Sequence, residues 1–145
     1  MIAKIGSEVH IYVDSSALVK RALAETESRQ LVETLEGFVR DGDRLFSSTL
    51  AWIESTRTIR SRLDASPPGE VVELVSVALS GVIEYFVTEQ VANVARRMGP
   101  ASLRSLDAIH LATATLVGAD LVCAYDQRLL LSAQELGFRT ISPGL

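Results

Sequence analysis

One cysteine, four prolines, few aromatics and no long unbroken apolar run mark this 145-residue chain, and each scarcity removes a class of function. Cys123 has no second thiol to pair with, so an internal disulfide and a cysteine-rich zinc site are both excluded. It lies in the run Leu121-Val122-Cys123-Ala124, which predicts a buried structural thiol. Aromatic residues make up 6% of the chain and do not interleave with basic ones, so base stacking is not expected. Glu8 and His10 interrupt any apolar leader core, and the stretch around 108–125 is broken by His110, Gly118 and Asp120. Neither a secretory signal nor a membrane-spanning helix is therefore expected, and the chain reads as soluble and cytoplasmic. A net charge of −4 speaks weakly against holding nucleic acid by charge alone, but a sum does not tell scattered acids from gathered ones.

What is present is ample core material: 48% hydrophobic and 22% charged residues, in a length that suits one domain spanning residues 1–145. Short β-type runs at Val9–Val13, Leu45–Ser47, Ile83–Val87, Leu121–Tyr125 and Phe138–Ile141 alternate with helical patterns. Those helices run from Ala17 onward, from Thr26 to Val39, from Ser48 or Thr49 to about Leu63, and from Val71 to Gly81. Three more follow, from Thr88 to Met98, Ser105 to Val117 and Gln127 to Leu136. Pro67 and Pro68 mark a break over 65–69. The pattern predicts an α/β fold with a mainly parallel sheet of about five strands, covered by helices on both faces. The segment Val71–Val82 is apolar enough to be core, interface or both.

Four acids stand out by position. Asp14 and Asp126 each follow an apolar strand and open a helix, which puts both outside the carboxyl ends of parallel strands, where ligands bind. Asp107 lies in the first turn of its helix, and Glu54 one turn into the helix after Leu45–Ser47. Each has a plain structural alternative: turn or cap residues for the strand-end acids, a helix-dipole partner for Asp107, a surface pair with Arg57 or Thr58 for Glu54. The apolar neighbours Trp52-Ile53 and Ala108-Ile109 set two of the acids beside core-facing surface, where a carboxylate needs a partner. Drawn together, four acids would raise one another's pKa unless a cation neutralised them. Oxygen-only ligands suit a hard ion, Mg²⁺ or Mn²⁺, and such an ion supports phosphodiester hydrolysis without a Ser–His pair.

The residues around these acids resemble a known family. Ile11-Tyr12-Val13-Asp14-Ser15-Ser16 is similar to the opening strand and first acid of PIN-domain nucleases. Ser48-Thr49-Leu50-Ala51-Trp52-Ile53-Glu54, Leu106-Asp107-Ala108-Ile109-His110 and Ala124-Tyr125-Asp126-Gln127-Arg128 resemble their second, third and fourth motifs. The likeness covers nearly the whole chain in order, and the length further resembles the VapC toxins of VapBC toxin–antitoxin systems. It implies a PIN-like fold and a metal-dependent endoribonuclease acting on structured RNA such as tRNA. It also implies a homodimer and inhibition by a VapB-type antitoxin. By position, Asp14, Glu54, Asp107 and Asp126 take the acidic roles, with Asp14, Asp107 and Asp126 as metal ligands and Ser16 as the hydroxyl beside the first acid. Ala124 stands where many members carry Thr or Ser, so one hydroxyl contact is missing there.

Among the basic residues, most arginines read as solvated helix faces. Arg57 and Arg128 lie near proposed ligands and can reach phosphate. His110 reads as a packing or hydrogen-bonding histidine rather than a general base. Rival functions lack their own signatures. A receiver domain needs another acid before Asp14 and a lysine near the last strand, a dehalogenase-like phosphatase needs Asp where Ser16 stands, and a dinucleotide site needs a Gly-rich turn after the first strand. A non-catalytic PIN-like RNA- or protein-binding module stays as the alternative.

Overall fold

The computed structural model describes residues 8–145; the expectation of no secretory leader rests in part on residues 1–7, which lie outside them. Five strands, β1 (His10–Val13), β2 (Arg44–Ser48), β3 (Val82–Tyr85), β4 (Leu121–Cys123) and β5 (Arg139–Ile141), form one sheet in the order β3-β2-β1-β4-β5. Every pairing is parallel, with Ile11 opposite Leu45 on one side and Leu121 on the other. The connections are α1 (Ser15–Ala22), α2 (Ser28–Arg40), α3 (Thr49–Arg62), α4 (Pro68–Leu79), α5 (Glu89–Ala95), α6 (Ser105–Leu116) and α7 (Gln127–Glu135). This is the expected α/β architecture, a parallel sheet of five strands with helices on both faces.

The period of two along the central strands sorts their side chains between two cores. Ile11, Val13, Leu121 and Cys123 point to the face covered by Leu18 of α1, Leu31 and Leu35 of α2, Ile59 of α3 and Ala78 of α4. Tyr12 and Val122 point the other way, against Leu111 and Ala114 of α6 and Leu129 and Leu130 of α7. Each fully buried leucine contributes about 1.5–3 kcal/mol from burial. Cys123 is free and buried, as its apolar run predicts. Among the described residues no helix is long and apolar enough to cross a membrane.

Some boundaries differ from the sequence expectation, for local reasons. The expected break between α3 and α4 is present but ends early: Pro67 supplies the extended cap, and Pro68 already takes the first helical position, where a missing N–H costs nothing. β3 begins at Val82 and stops at Tyr85 because its partner β2 runs out at Ser48, which turns to cap α3. α5 stops at Ala95, since the amides of Arg97 and Met98 turn to carbonyls three residues back. β4 stops at Cys123, because the Tyr125 amide leaves the ladder for the Ser16 hydroxyl. α4 is both core and surface: Ala78 is buried while Val72 is 69% exposed.

Candidate active site at the carboxyl edge of the sheet

Val13 pairs with Cys123 at the carboxyl ends of β1 and β4, so the residues after those strands share one edge. Asp14 follows at once, its amide donating to the Cys123 carbonyl at 3.1 Å. Its side chain is buried and caps α1: Oδ1 accepts from the Ser16 hydroxyl at 2.7 Å and from the Ala17 amide at 3.2 Å. Burial pushes the Asp14 carboxyl up to about 6, against the opposing bonds from Ser16 and Ala17. The Ser16 hydroxyl also accepts from the Tyr125 amide at 2.9 Å, binding the start of α1 to the loop that carries Asp126.

Asp126 is exposed and caps α7 through Oδ1, which accepts from the amides of Arg128 at 2.9 Å and Leu129 at 3.1 Å. The plain alternative for the two strand-end acids, helix capping, is thus realised in both. It occupies Oδ1 in each.

Asp107 differs. It stands in the first turn of α6, and its Oδ2 is buried with no hydrogen-bond partner among the described residues. Burial raises the Asp107 carboxyl above its ordinary value, and the charges of Asp126 and Glu54 add to the rise while His110 and Arg104 oppose it. These acids therefore share one electrostatic field. Glu54, on α3, does not pair with Arg57 or Thr58; its Oε1 accepts from His110 Nε2 at 2.8 Å. Burial alone would raise Glu54, but the His110 bond and charge together with the Ser15 hydroxyl outweigh it and hold the carboxyl below its ordinary value.

His110 is the hydrogen-bonding histidine that the sequence suggested, but sequence reasoning did not single out Tyr12. His110 is 2% exposed, and its Nδ1 lies 2.6 Å from the Tyr12 hydroxyl, itself 3.0 Å from Ser48 Oγ. The available signal was a histidine one turn past Asp107 inside an otherwise apolar helix. Arg57 and Arg128 are exposed; Arg57 lines a surface cavity of about 230 Å³ with Arg60, Ser61 and Asp64.

In this arrangement no three carboxylate, imidazole or thiol side chains among the described residues close into a metal-holding group. The donor chemistry nevertheless fits a hard divalent ion. A buried oxygen on Asp107 without a partner among the described residues, on a carboxyl raised by burial and by the charges of Asp126 and Glu54, and a carboxyl on Asp14 that burial drives toward protonation, are each short of positive charge.

Comparison with known proteins identifies the family. The PIN domain family model matches residues 11–134. Ribonuclease VapC47 of Mycobacterium tuberculosis is 39% identical over 136 residues, covering 92% of this chain and 97% of that protein. Ribonuclease VapC46 of the same species is 37% identical over 135 residues, with the same coverage. Among solved structures, M. tuberculosis VapC20, described as a sarcin-ricin loop cleaving toxin, superposes with a TM-score of 0.67 at 16% identity, covering 92% of this chain and 99% of that one. VapBC2 from Rickettsia felis, bound to a promoter DNA fragment, gives 0.69 at 8% identity, covering 92% and 98%. At those identities the structures speak for the fold, and the sequence relatives speak for the family. The chain belongs to the PIN-domain family and, within it, to the VapC ribonucleases.

Proposed function

We propose that this chain is a Mg²⁺- or Mn²⁺-dependent endoribonuclease and the toxin of a type II toxin–antitoxin pair. The observation that carries the metal-dependent reading is Asp107 Oδ2, buried without a partner in the field of Asp126 and Glu54. An unpaired buried carboxylate oxygen is costly to keep unless something neutralises it. Asp14, Asp107 and Asp126 are the residues that would hold the ion, which would supply Lewis acidity and a readily deprotonated water at the phosphodiester. The chain's own part is positioning. Ser16 and the Ala17 amide fix Asp14 Oδ1, and the Arg128 and Leu129 amides fix Asp126 Oδ1. Glu54, held below the ordinary carboxylate range, stays ionised at neutral pH and is the proton acceptor in this reading. Exposed Arg57 and Arg128 would supply cations for RNA phosphates in this reading.

The relatives support the proposed substrate class: their shared name is ribonuclease, and one structural neighbour is called a sarcin-ricin loop cleaving toxin, so a structured RNA, tRNA included, is the proposed target. A VapB-type antitoxin is the proposed partner, by analogy with the VapBC2 complex. Exposed Val72 and Phe86, at 69% and 66%, offer apolar surface for that antitoxin or a second copy of the chain. Two observations favour the non-catalytic alternative: Asp14 and Asp126 already serve as caps, and among the described residues the acids do not close into a metal-holding group.

Incubation of the purified chain with structured RNA, with Mg²⁺ or Mn²⁺ and then with EDTA, separates the two readings. Cleavage should require the ion and vanish in Asp14→Asn and Asp107→Asn while circular dichroism stays native. Full activity in either variant would remove the metal-site reading.

A further inference from the structure

Glu54 sits at the end of a buried chain of polar contacts that the acidic edge alone does not explain. Its Oε1 accepts from His110 Nε2 at 2.8 Å, His110 Nδ1 meets the Tyr12 hydroxyl at 2.6 Å, and that hydroxyl meets Ser48 Oγ at 3.0 Å. Ser48 Oγ in turn accepts from the Ala51 amide at 3.1 Å, capping the helix on which Glu54 is carried. Tyr12 and Ser48 are fully buried and His110 nearly so. The chain therefore starts and ends on α3, passing through α6 and β1.

The chemistry of these groups gives the chain a direction at one end. An ionised carboxylate only accepts, so His110 Nε2 must carry the proton shared with Glu54. Nδ1 then faces a hydroxyl that both donates and accepts, which fixes the imidazole plane from its far side. Tyr12 is held in turn by its strand: as the even-numbered residue between Ile11 and Val13 it points to the α6 face. A rotation of His110 would break two bonds at once, the one to Tyr12 buried and the one to Glu54 partly so. The Glu54 carboxylate, on a side chain with three rotatable bonds and partly exposed, is thereby anchored to the rigid centre of the sheet.

We propose that His110 and Tyr12 are positioning residues for Glu54: they hold its carboxylate in one orientation at the acidic edge and touch neither RNA nor ion. The functional half of this proposal rests on the nuclease reading above. The orientation itself does not.

Three measurements on the intact protein test it. In the free chain, the His110 Nε2 proton should give a slowly exchanging NMR resonance that moves in Glu54→Gln, and the Nδ1 nitrogen shift should move in Tyr12→Phe. A resonance that exchanges freely with solvent, or ignores Glu54→Gln, overturns the relay. In RNA cleavage, His110→Gln should lower kcat by about 10–100-fold, the usual loss when a group orienting a catalytic side chain is removed, with KM nearly unchanged. In a Glu54→Gln background the same substitution should add almost nothing, because its effect passes through Glu54. Equal losses in both backgrounds would assign His110 a purely structural role. Should His110→Gln fail to fold, Tyr12→Phe carries the same cycle with the ring retained: coupling to Glu54→Gln supports the proposal and independence overturns it. If the wild-type chain cleaves no RNA, the nuclease reading falls and the resonance alone decides the relay.

Discussion

The Ser16 hydroxyl donates to Asp14 Oδ1 at 2.7 Å and accepts the Tyr125 amide at 2.9 Å, so one small side chain both braces the first acid and ends strand β4. Replacing it with alanine leaves a partly buried amide and a buried carboxylate each short of a bond. Ser16→Ala should cost about 1–3 kcal/mol of stability, read as a lower urea midpoint with an unchanged slope. An unchanged midpoint would show that water replaces both bonds without loss.

Asp14 should make the metal-free protein less stable as pH rises. Its carboxyl titrates near 6 in the folded chain, against about 3.9 when unfolded. Between those values the folded state binds more protons, so the stability contributed by protonated Asp14 is complete below the unfolded value and lost as pH rises through about 6, on the order of 3 kcal/mol in all. Asn keeps the helix cap without the charge. In EDTA, Asp14→Asn should therefore match wild type near pH 4 and exceed it in denaturant resistance at pH 7. A variant weaker than wild type at pH 7 would show that the buried charge is better compensated than its surroundings indicate. Glu54 has the opposite sign, being lowered, so its contribution is lost as pH falls; comparing the two proteins at each pH cancels it.

A divalent ion should reverse that penalty. At a hundredfold excess over its dissociation constant, Mg²⁺ or Mn²⁺ should add about 2.7 kcal/mol, which raises Tm by roughly 5–10 °C for a chain of this size. Asp107→Asn should suppress the rise. No shift in wild type at millimolar ion, measured by scanning calorimetry, would count against Asp107 Oδ2 as a ligand atom.

Arg57 and Arg128 are exposed and make no ion pair among the described residues, so Arg57→Ala and Arg128→Ala should change stability by less than about 0.5 kcal/mol. If each meets one phosphate, RNA affinity should weaken, and the slope of log affinity against log salt should shrink by about one per arginine removed. Filter binding with the inactive Asp107→Asn protein over a salt series gives both numbers. An unchanged slope would return these arginines to the solvated surface.

Much of the molecule was legible in one dimension because the controlling signals are local. The unbroken apolar run Ile11-Tyr12-Val13 shows a strand covered on both faces. Ser48 and Thr88 cap the helices they precede. Asp14 and Asp126 sit at strand ends in a parallel fold, so their common edge followed from topology alone. Pro67 and Pro68 marked the break between α3 and α4, but the start of α4 came earlier than expected, because a proline serves equally as a break and as the first helical residue.

The pairing of Glu54 with His110, 56 residues apart, and of His110 with Tyr12, 98 apart, was decided by packing. Periodicity states which face of a strand or helix a side chain occupies, not what lies across from it. The sequence by itself determined the elements, their order and the acids' shared edge, since capping, alternation and proline act over a few neighbouring residues. Only the tertiary structure decided which oxygens are engaged by caps, which one on Asp107 is left without a partner, and that Glu54 leans on a buried imidazole. Those outcomes depend on the distance between elements once α3 and α6 have closed over the end of the sheet.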